Sequence, residues 1–310
     1  MTLRRGTAFR RPAARRVPAA HLVVLTVLTV LIASVTLPVE AATRKRKSTK
    51  KAAPIPEVPR PHDPFAVSFP SSDGVRLVAT WKPSPAGPSA PAVLLLHAFS
   101  RERREVAFLA DELAARGFST LALDLRGHGE SVWKGGVRLG TSPSLQTSPN
   151  GFPRDVEAAC AWLGPRATRV GVFGLSLSGN LAALATAAGW AEAAVAVSAN
   201  ADRFEKLAGT RPKSPTGLLV LASEKDPGRA GSARLLENLG RAPKSVVLYP
   251  GTAHALELLK GEPAAKDAAF AWLEARLGPV TPPPAPVATI PVPAPEPAPA
   301  AAPAPGGESR

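Results

Sequence analysis

The chain has a single cysteine, Cys160, in 310 residues, so no intramolecular disulfide can form and a disulfide-stapled scaffold is excluded. It has no cluster of Cys and His at metal-ligand spacing and no Gly-rich loop of the form that cradles phosphates, so no metal and no cofactor is expected. It shows no internal repeat. Acidic residues are nearly missing from the first 53 positions, where Glu40 faces twelve Lys and Arg; the rest of the chain carries 26 bases and 23 acids. The net charge of +14 is therefore mostly a property of the N-terminal segment. The body has no broad basic field to draw phosphates, and nucleic acid is not an expected partner.

What is present divides the chain into four parts. Residues 1–42 read as a signal peptide or an N-terminal membrane anchor. Arg4, Arg5, Arg10, Arg11, Arg15 and Arg16 precede the uncharged run Leu22–Leu37, and Val39 and Ala41 supply small residues at signal-peptidase spacing. The run has 16 residues, slightly short of the roughly 20 of a relaxed span. Six bases (Arg44, Lys45, Arg46, Lys47, Lys50, Lys51) follow it, so charge does not orient it. The protein is expected to be exported: periplasmic, secreted or membrane-anchored. Residues 43–62 are basic and then Pro-rich, a linker that is a solvated spacer or a contact with membrane lipid or other cell-envelope polymer. Residues 279–310 hold 12 prolines among Ala and Val, a disordered, polyproline-like tail reaching about 100 Å at most.

Residues 63–278 remain as the folded domain, long enough for one sizeable core. Apolar runs suited to buried strands alternate there with helical spacing. Ala92–Leu96 reads as a strand, followed by a helix with Val106, Leu109, Ala110 and Leu113 on one face. Ser119–Leu123, Arg169–Phe173, Ala194–Val197, Leu218–Leu221 and Val246–Tyr249 read as further strands. Helices lie over Val156–Leu163, Leu181–Ala188, Leu235–Leu239 and Ala265–Leu277. Strands Val67–Phe69 and Val75–Trp81, joined at Ser72-Asp73-Gly74, make an antiparallel hairpin leading in. The alternation predicts an α/β domain: a mainly parallel central sheet with helices on both faces. The stretch from Asn200 to Gly217 is too short for a large cap, and Val132–Pro153 reads as a small lid loop.

Parallel sheets present ligands at the carboxyl ends of their strands, so the loops there carry the chemistry. After Arg169–Phe173 the chain reads Gly174-Leu175-Ser176-Leu177-Ser178-Gly179 and enters a helix. A serine between strand and helix, with small residues two before and two after, is a nucleophile elbow. Taking Ser178 as the apex instead would put Asn180, a large residue, at a crowded position, so Ser176 is preferred. The acid and then the histidine should follow in chain order, and His254 is the only histidine beyond Ser176. The segment after Leu218–Leu221 offers Glu224 and Asp226; Asp226, fixed before Pro227, is favoured, with Glu224 its competitor and Asp202 a third choice. Cys160 sits on a buried helical stripe and reads as packing.

Residues 65–278 resemble an α/β-hydrolase-fold serine esterase. Asp124-Leu125-Arg126-Gly127-His128-Gly129-Glu130-Ser131 resembles that family's Arg-Gly-x-Gly-x-Ser loop, and Leu96-His97-Ala98-Phe99 its His-Gly oxyanion loop. The resemblance implies an oxyanion hole from the backbone N–H groups of Phe99 and Leu177, and structural roles for His97 and His128. Ala98 and Ser178 stand where the family usually has Gly, each adding a Cβ where backbones approach closely. The reading is a serine hydrolase cleaving a small-molecule carboxylic ester or thioester through an acyl-enzyme on Ser176, Asp226 and His254. The alternatives are an acyltransferase or perhydrolase of the same fold, or a catalytically silent envelope-binding module. The sequence carries no signal for oligomeric state.

Overall fold

A computed structural model describes residues 63–140 and 151–278. The leader or anchor, the basic linker and the Pro-rich tail expected at the two ends lie outside the described residues.

The strands are β1 (Ala66–Pro70), β2 (Val75–Lys82), β3 (Ala92–Leu96), β4 (Ser119–Asp124), β5 (Trp133–Lys134), β6 (Val137–Arg138), β7 (Val170–Leu175), β8 (Ala193–Val197), β9 (Leu218–Ser223) and β10 (Lys244–Tyr249). They form one sheet in the order β10-β9-β8-β7-β3-β4-β2-β5-β6, with β1 on β2. From β10 to β4 every neighbouring pair is parallel; β2 runs antiparallel to β4, β1 and β5.

The helices are α1 (Ala107–Ala115), α2 (Phe152–Leu163), α3 (Leu177–Ala187), α4 (Ala201–Ala208), α5 (Arg229–Leu239), α6 (Leu256–Gly261) and α7 (Pro263–Leu277). The inner parallel strands β3, β7, β8 and β9 are buried on both sides, which is why each reads as a nearly continuous apolar run, whereas the edge strand β10 is only half-buried. Ala92, Leu94 and Leu96 of β3 pack into the layer of α2, α3, α4 and α5, while Val93 and Leu95 pack against α1, α6 and α7. Val156, Ala159, Cys160 and Leu163 are all buried in the first layer, as their spacing predicts. Cys160 is enclosed there, and burial pushes its thiol up to about 12, a packing side chain rather than a nucleophile.

One local reading is filled in and one is corrected. The stretch from Asn200 to Gly217 contains α4, capped by the Asn200 side chain, which accepts from Arg203 N at 2.9 Å. Phe204, Leu207 and Ala208 bury that helix in the sheet-covering layer, so it is not a cap over the site. Val132–Pro153 is not one loop either. Gly135 and Gly136, both at positive φ, turn β5 into β6, and β5 extends the sheet by pairing with Val75 and Arg76. At the other end of that stretch Phe152 and Pro153 already belong to α2, and Phe152 is fully buried.

Candidate active site

The site lies where the parallel strands end. Ser176 follows β7 and opens α3 with φ at 53° and ψ at −113°, a strained backbone for a residue with a Cβ. The crowding that the elbow requires is visible two residues earlier: a Cβ on Gly174 would lie 2.0 Å from the carbonyl oxygen of Ser178. Only glycine fits there. At position 178 the extra Cβ is accommodated. Ser178 is fully buried and its hydroxyl donates to the His97 carbonyl at 2.5 Å, tying the elbow to the loop after β3.

His254 comes from the loop after β10 and reaches this turn. Its Nε2 is 2.9 Å from Ser176 Oγ, and its Nδ1 is 2.7 Å from Asp226 Oδ2. Asp226 is 6% exposed, whereas Glu224 and Asp202 are both on the surface; burial strengthens a carboxylate's hold on an imidazole and keeps water from competing. Of the three carboxylates weighed from the sequence, Asp226 is the one at His254.

Two serines that sequence reasoning did not single out hold His254 from both sides. Ser223, the last residue of β9, donates to the Ala253 carbonyl at 2.6 Å. Ser198, just after β8, accepts the Ala255 N–H at 2.9 Å. Lys225 N also donates to Gly251 O at 2.9 Å, so the loops bearing the acid and the imidazole are joined along their backbones. Ser176, Ser198 and Ala255 are three of the four non-glycine residues at positive φ among the described residues. Strained backbone is thus gathered around one imidazole. The available signal is a small polar residue at or just after a strand's end.

The loop after β3 brings Phe99 to the same cleft. The Ala98 N–H is taken by Glu105 Oε2 at 2.7 Å, and the next residue, Phe99, lines the cleft. His97 Nδ1–H donates to Ala98 O (2.7 Å) and Nε2 accepts the Leu125 N–H (3.1 Å), a pattern met by the neutral ring protonated on Nδ1. Burial depresses its pKa to about 3, and burial lowers that of His128 as well. His128 joins Ser100 N to Arg126 O, and its ring stands edge-on to Phe99 at 5.2 Å. Both rings hold loops together; neither approaches Ser176 in the way His254 does. Beneath them Arg126 bridges Asp155 at 2.7 Å and Asp73 at 2.8 Å, anchoring the loop after β4 to α2 and to the entry hairpin.

The cleft above Ser176 encloses about 160 Å³. Phe99, Leu177, Asn180 and Asn200 line it, together with Arg203 and Arg229. No spacing in the sequence pairs these two arginines, because they come from different connections. Among the described residues no group of three or more His, Cys, Asp or Glu side chains converges to hold a metal. A serine hydroxyl hydrogen-bonded to an imidazole that is itself bonded to a buried carboxylate can transfer a proton as the hydroxyl oxygen forms a new bond.

Comparison with known proteins agrees with this architecture. The model of the Alpha/beta hydrolase family matches residues 93–304. No curated protein sequence matches the chain. Among solved structures, an esterase of Pyrococcus furiosus is similar at 18% identity and a TM-score of 0.54, covering 69% of this chain and 91% of that one. Dienelactone hydrolase from Anabaena variabilis is similar at 20% identity and a TM-score of 0.54, covering 70% of this chain and 100% of that one. A Pseudomonas aeruginosa protein described as hypothetical matches at 16% identity and a TM-score of 0.55. At such identities the likeness is one of fold.

Proposed function

The chain belongs to the alpha/beta hydrolase family, and from that premise we propose that it is an exported serine hydrolase that cleaves a small carboxylic ester or thioester through an acyl-enzyme. The observation that carries the reading is the hydrogen-bonded series from Ser176 Oγ through His254 to Asp226, at 2.9 Å and 2.7 Å. The mixed company of esterase and dienelactone hydrolase among similar folds supports ester chemistry without naming a substrate.

In this mechanism Ser176 Oγ bonds to the acyl carbon while His254 Nε2 takes its proton. Asp226 accepts the Nδ1–H, keeps that tautomer and stabilises the imidazolium. The carbonyl oxygen, now an oxyanion, is held by the N–H groups of Phe99 and Leu177, the latter at the positive end of α3. The bond to the leaving oxygen or sulfur then breaks, and His254 Nε2 returns its proton to that atom. Water repeats the sequence: His254 removes its proton, the hydroxide oxygen bonds to the acyl carbon, and Ser176 leaves with the proton restored. The N-terminal segment, basic and then uncharged, supports export of this domain, whether periplasmic, secreted or membrane-anchored.

Two measurements test the reading on the purified protein. A fluorophosphonate should label it, with the adduct mapped by mass spectrometry to the peptide carrying Ser176. A series of activated esters of rising acyl length should give measurable turnover, and a competing alcohol would divert acyl groups only if transfer rather than hydrolysis is the reaction. No adduct and no turnover of any ester would overturn it.

A further inference from the structure

The cleft that Ser176 opens into is lined by two arginines and by no carboxylate. Arg203 stands in the first turn of α4, after β8, and Arg229 is the first residue of α5, after β9. The two amides in the lining hold backbone groups. Asn180 Nδ2 donates to Leu177 O at 3.1 Å and its Oδ1 accepts from Asn200 N at 3.0 Å, while Asn200 Oδ1 accepts from Arg203 N at 2.9 Å. Arg229 brings a guanidinium to the same lining.

Arg229 carries the more specific sign. Its Nε is buried and has no hydrogen-bond partner. Thr120 Oγ1 and Arg276 Nε are the other such atoms among the described residues, and neither residue lines the cleft. Among the described residues no carboxylate forms an ion pair with Arg229. A half-buried guanidinium with an orphaned donor is costly unless an acceptor arrives, and the planar fork of arginine matches a carboxylate better than any neutral group. The remaining arginines of the domain that are well buried, Arg103 and Arg126, are by contrast each matched to acids of the chain itself.

We infer that the substrate is a small ester bearing a carboxylate in addition to its scissile bond, the carboxylate being held by Arg229 with Arg203 beside it. The size of the cleft, about 160 Å³, favours a short molecule, since sites for larger ligands run to roughly 300–1,000 Å³. Two cationic side chains in a lining without a carboxylate also raise the local concentration of anions. This inference rests on the reading of Ser176 as the nucleophile, and its test separates the two.

The full chain is assayed with p-nitrophenyl butyrate and p-nitrophenyl hydrogen succinate, esters of one leaving group that differ at the acyl terminus by a methyl or a carboxylate. The expected result is a kcat/KM for the succinate at least about 10-fold above that for the butyrate, from one charge-assisted hydrogen-bonded pair. Arg229→Gln should lower the ratio of the two by about 10- to 100-fold, Arg229→Lys should restore part of it, and added salt should erode it. A second readout needs no turnover: calorimetry of Ser176→Ala with monomethyl succinate against dimethyl succinate. Binding of the mono-ester alone, lost when Arg229→Gln is added, supports the carboxylate site. If neither activated ester is turned over but that binding is seen, the hydrolase reading falls and the carboxylate site stands. If both esters are turned over with equal kcat/KM, or if the ratio ignores both Arg229→Gln and Arg203→Gln, the hydrolase reading stands and the carboxylate site is overturned.

Discussion

Ser198, at the end of β8, accepts the backbone N–H of Ala255, the residue after His254, at 2.9 Å. Both residues sit at positive φ, near 50°, a conformation that costs a residue with a Cβ of order 1–3 kcal/mol and persists only when its surroundings hold it. The hydroxyl is one of those surroundings. With Ser223 on the Ala253 carbonyl, it leaves the imidazole little freedom relative to Ser176.

Removing that hold should misplace the imidazole rather than empty the cleft. Ser198→Ala should lower kcat by about 10-fold or more while changing KM little, because small displacements of a proton-transfer group are felt in the chemical step. Ser198→Thr, which keeps a hydroxyl, should recover part of the loss. Equal changes in KM and kcat, tracking a fall in melting temperature, would reduce Ser198 to a packing residue.

The two serines of the elbow should separate cleanly. Ser176→Ala should remove ester turnover by several orders of magnitude with cooperative unfolding retained. Ser178→Ala should act on stability instead. It strands the buried His97 carbonyl, a loss of about 1–3 kcal/mol, with turnover lowered far less than in Ser176→Ala. Urea unfolding and one activated ester measure both.

Asp226→Asn should cost about 10⁴-fold in kcat, since an amide facing Nδ1 favours the wrong ring tautomer. Glu224→Gln and Asp202→Asn, both at the surface, should stay near the parent rate. A comparable loss in Glu224→Gln would move the acid to that residue.

Stability should fall as the solution is acidified from about pH 6.5. The folded chain holds His97 neutral down to about 3, while the unfolded chain protonates it near 6.5, so below 6.5 the unfolded state binds more protons. Its contribution declines by about 1.4 kcal/mol per pH unit within that window, and His128, shifted the same way, adds to it. Urea midpoints at pH 7.5 and pH 5 check the sign; a flat or rising profile would mean that His97 is accessible to protons in the folded state.

Much of the domain follows from local pattern. Ala92–Leu96 has to be buried on both faces because every residue in it is apolar, and the stripe of Val156, Ala159, Cys160 and Leu163 has to face a core. Gly174 before Ser176 and a lone downstream His254 are legible for the same reason: strand, turn and helix sit next to one another in sequence, and chain order alone leaves few partners. The short α4 and the β5–β6 hairpin were not legible, because eight residues rich in charge and four residues around Gly135-Gly136 become ordered only against a sheet already formed. What tertiary structure alone decided is how distant segments meet at the strand ends. Burial chose Asp226 over Glu224, although the two lie two positions apart. Pairing of β8 and β9 with their neighbours set Ser198 and Ser223 on either side of His254. The turns into α4 and α5 carried Arg203 and Arg229 to one cleft from positions 26 residues apart, a distance in sequence over which no period or spacing links them.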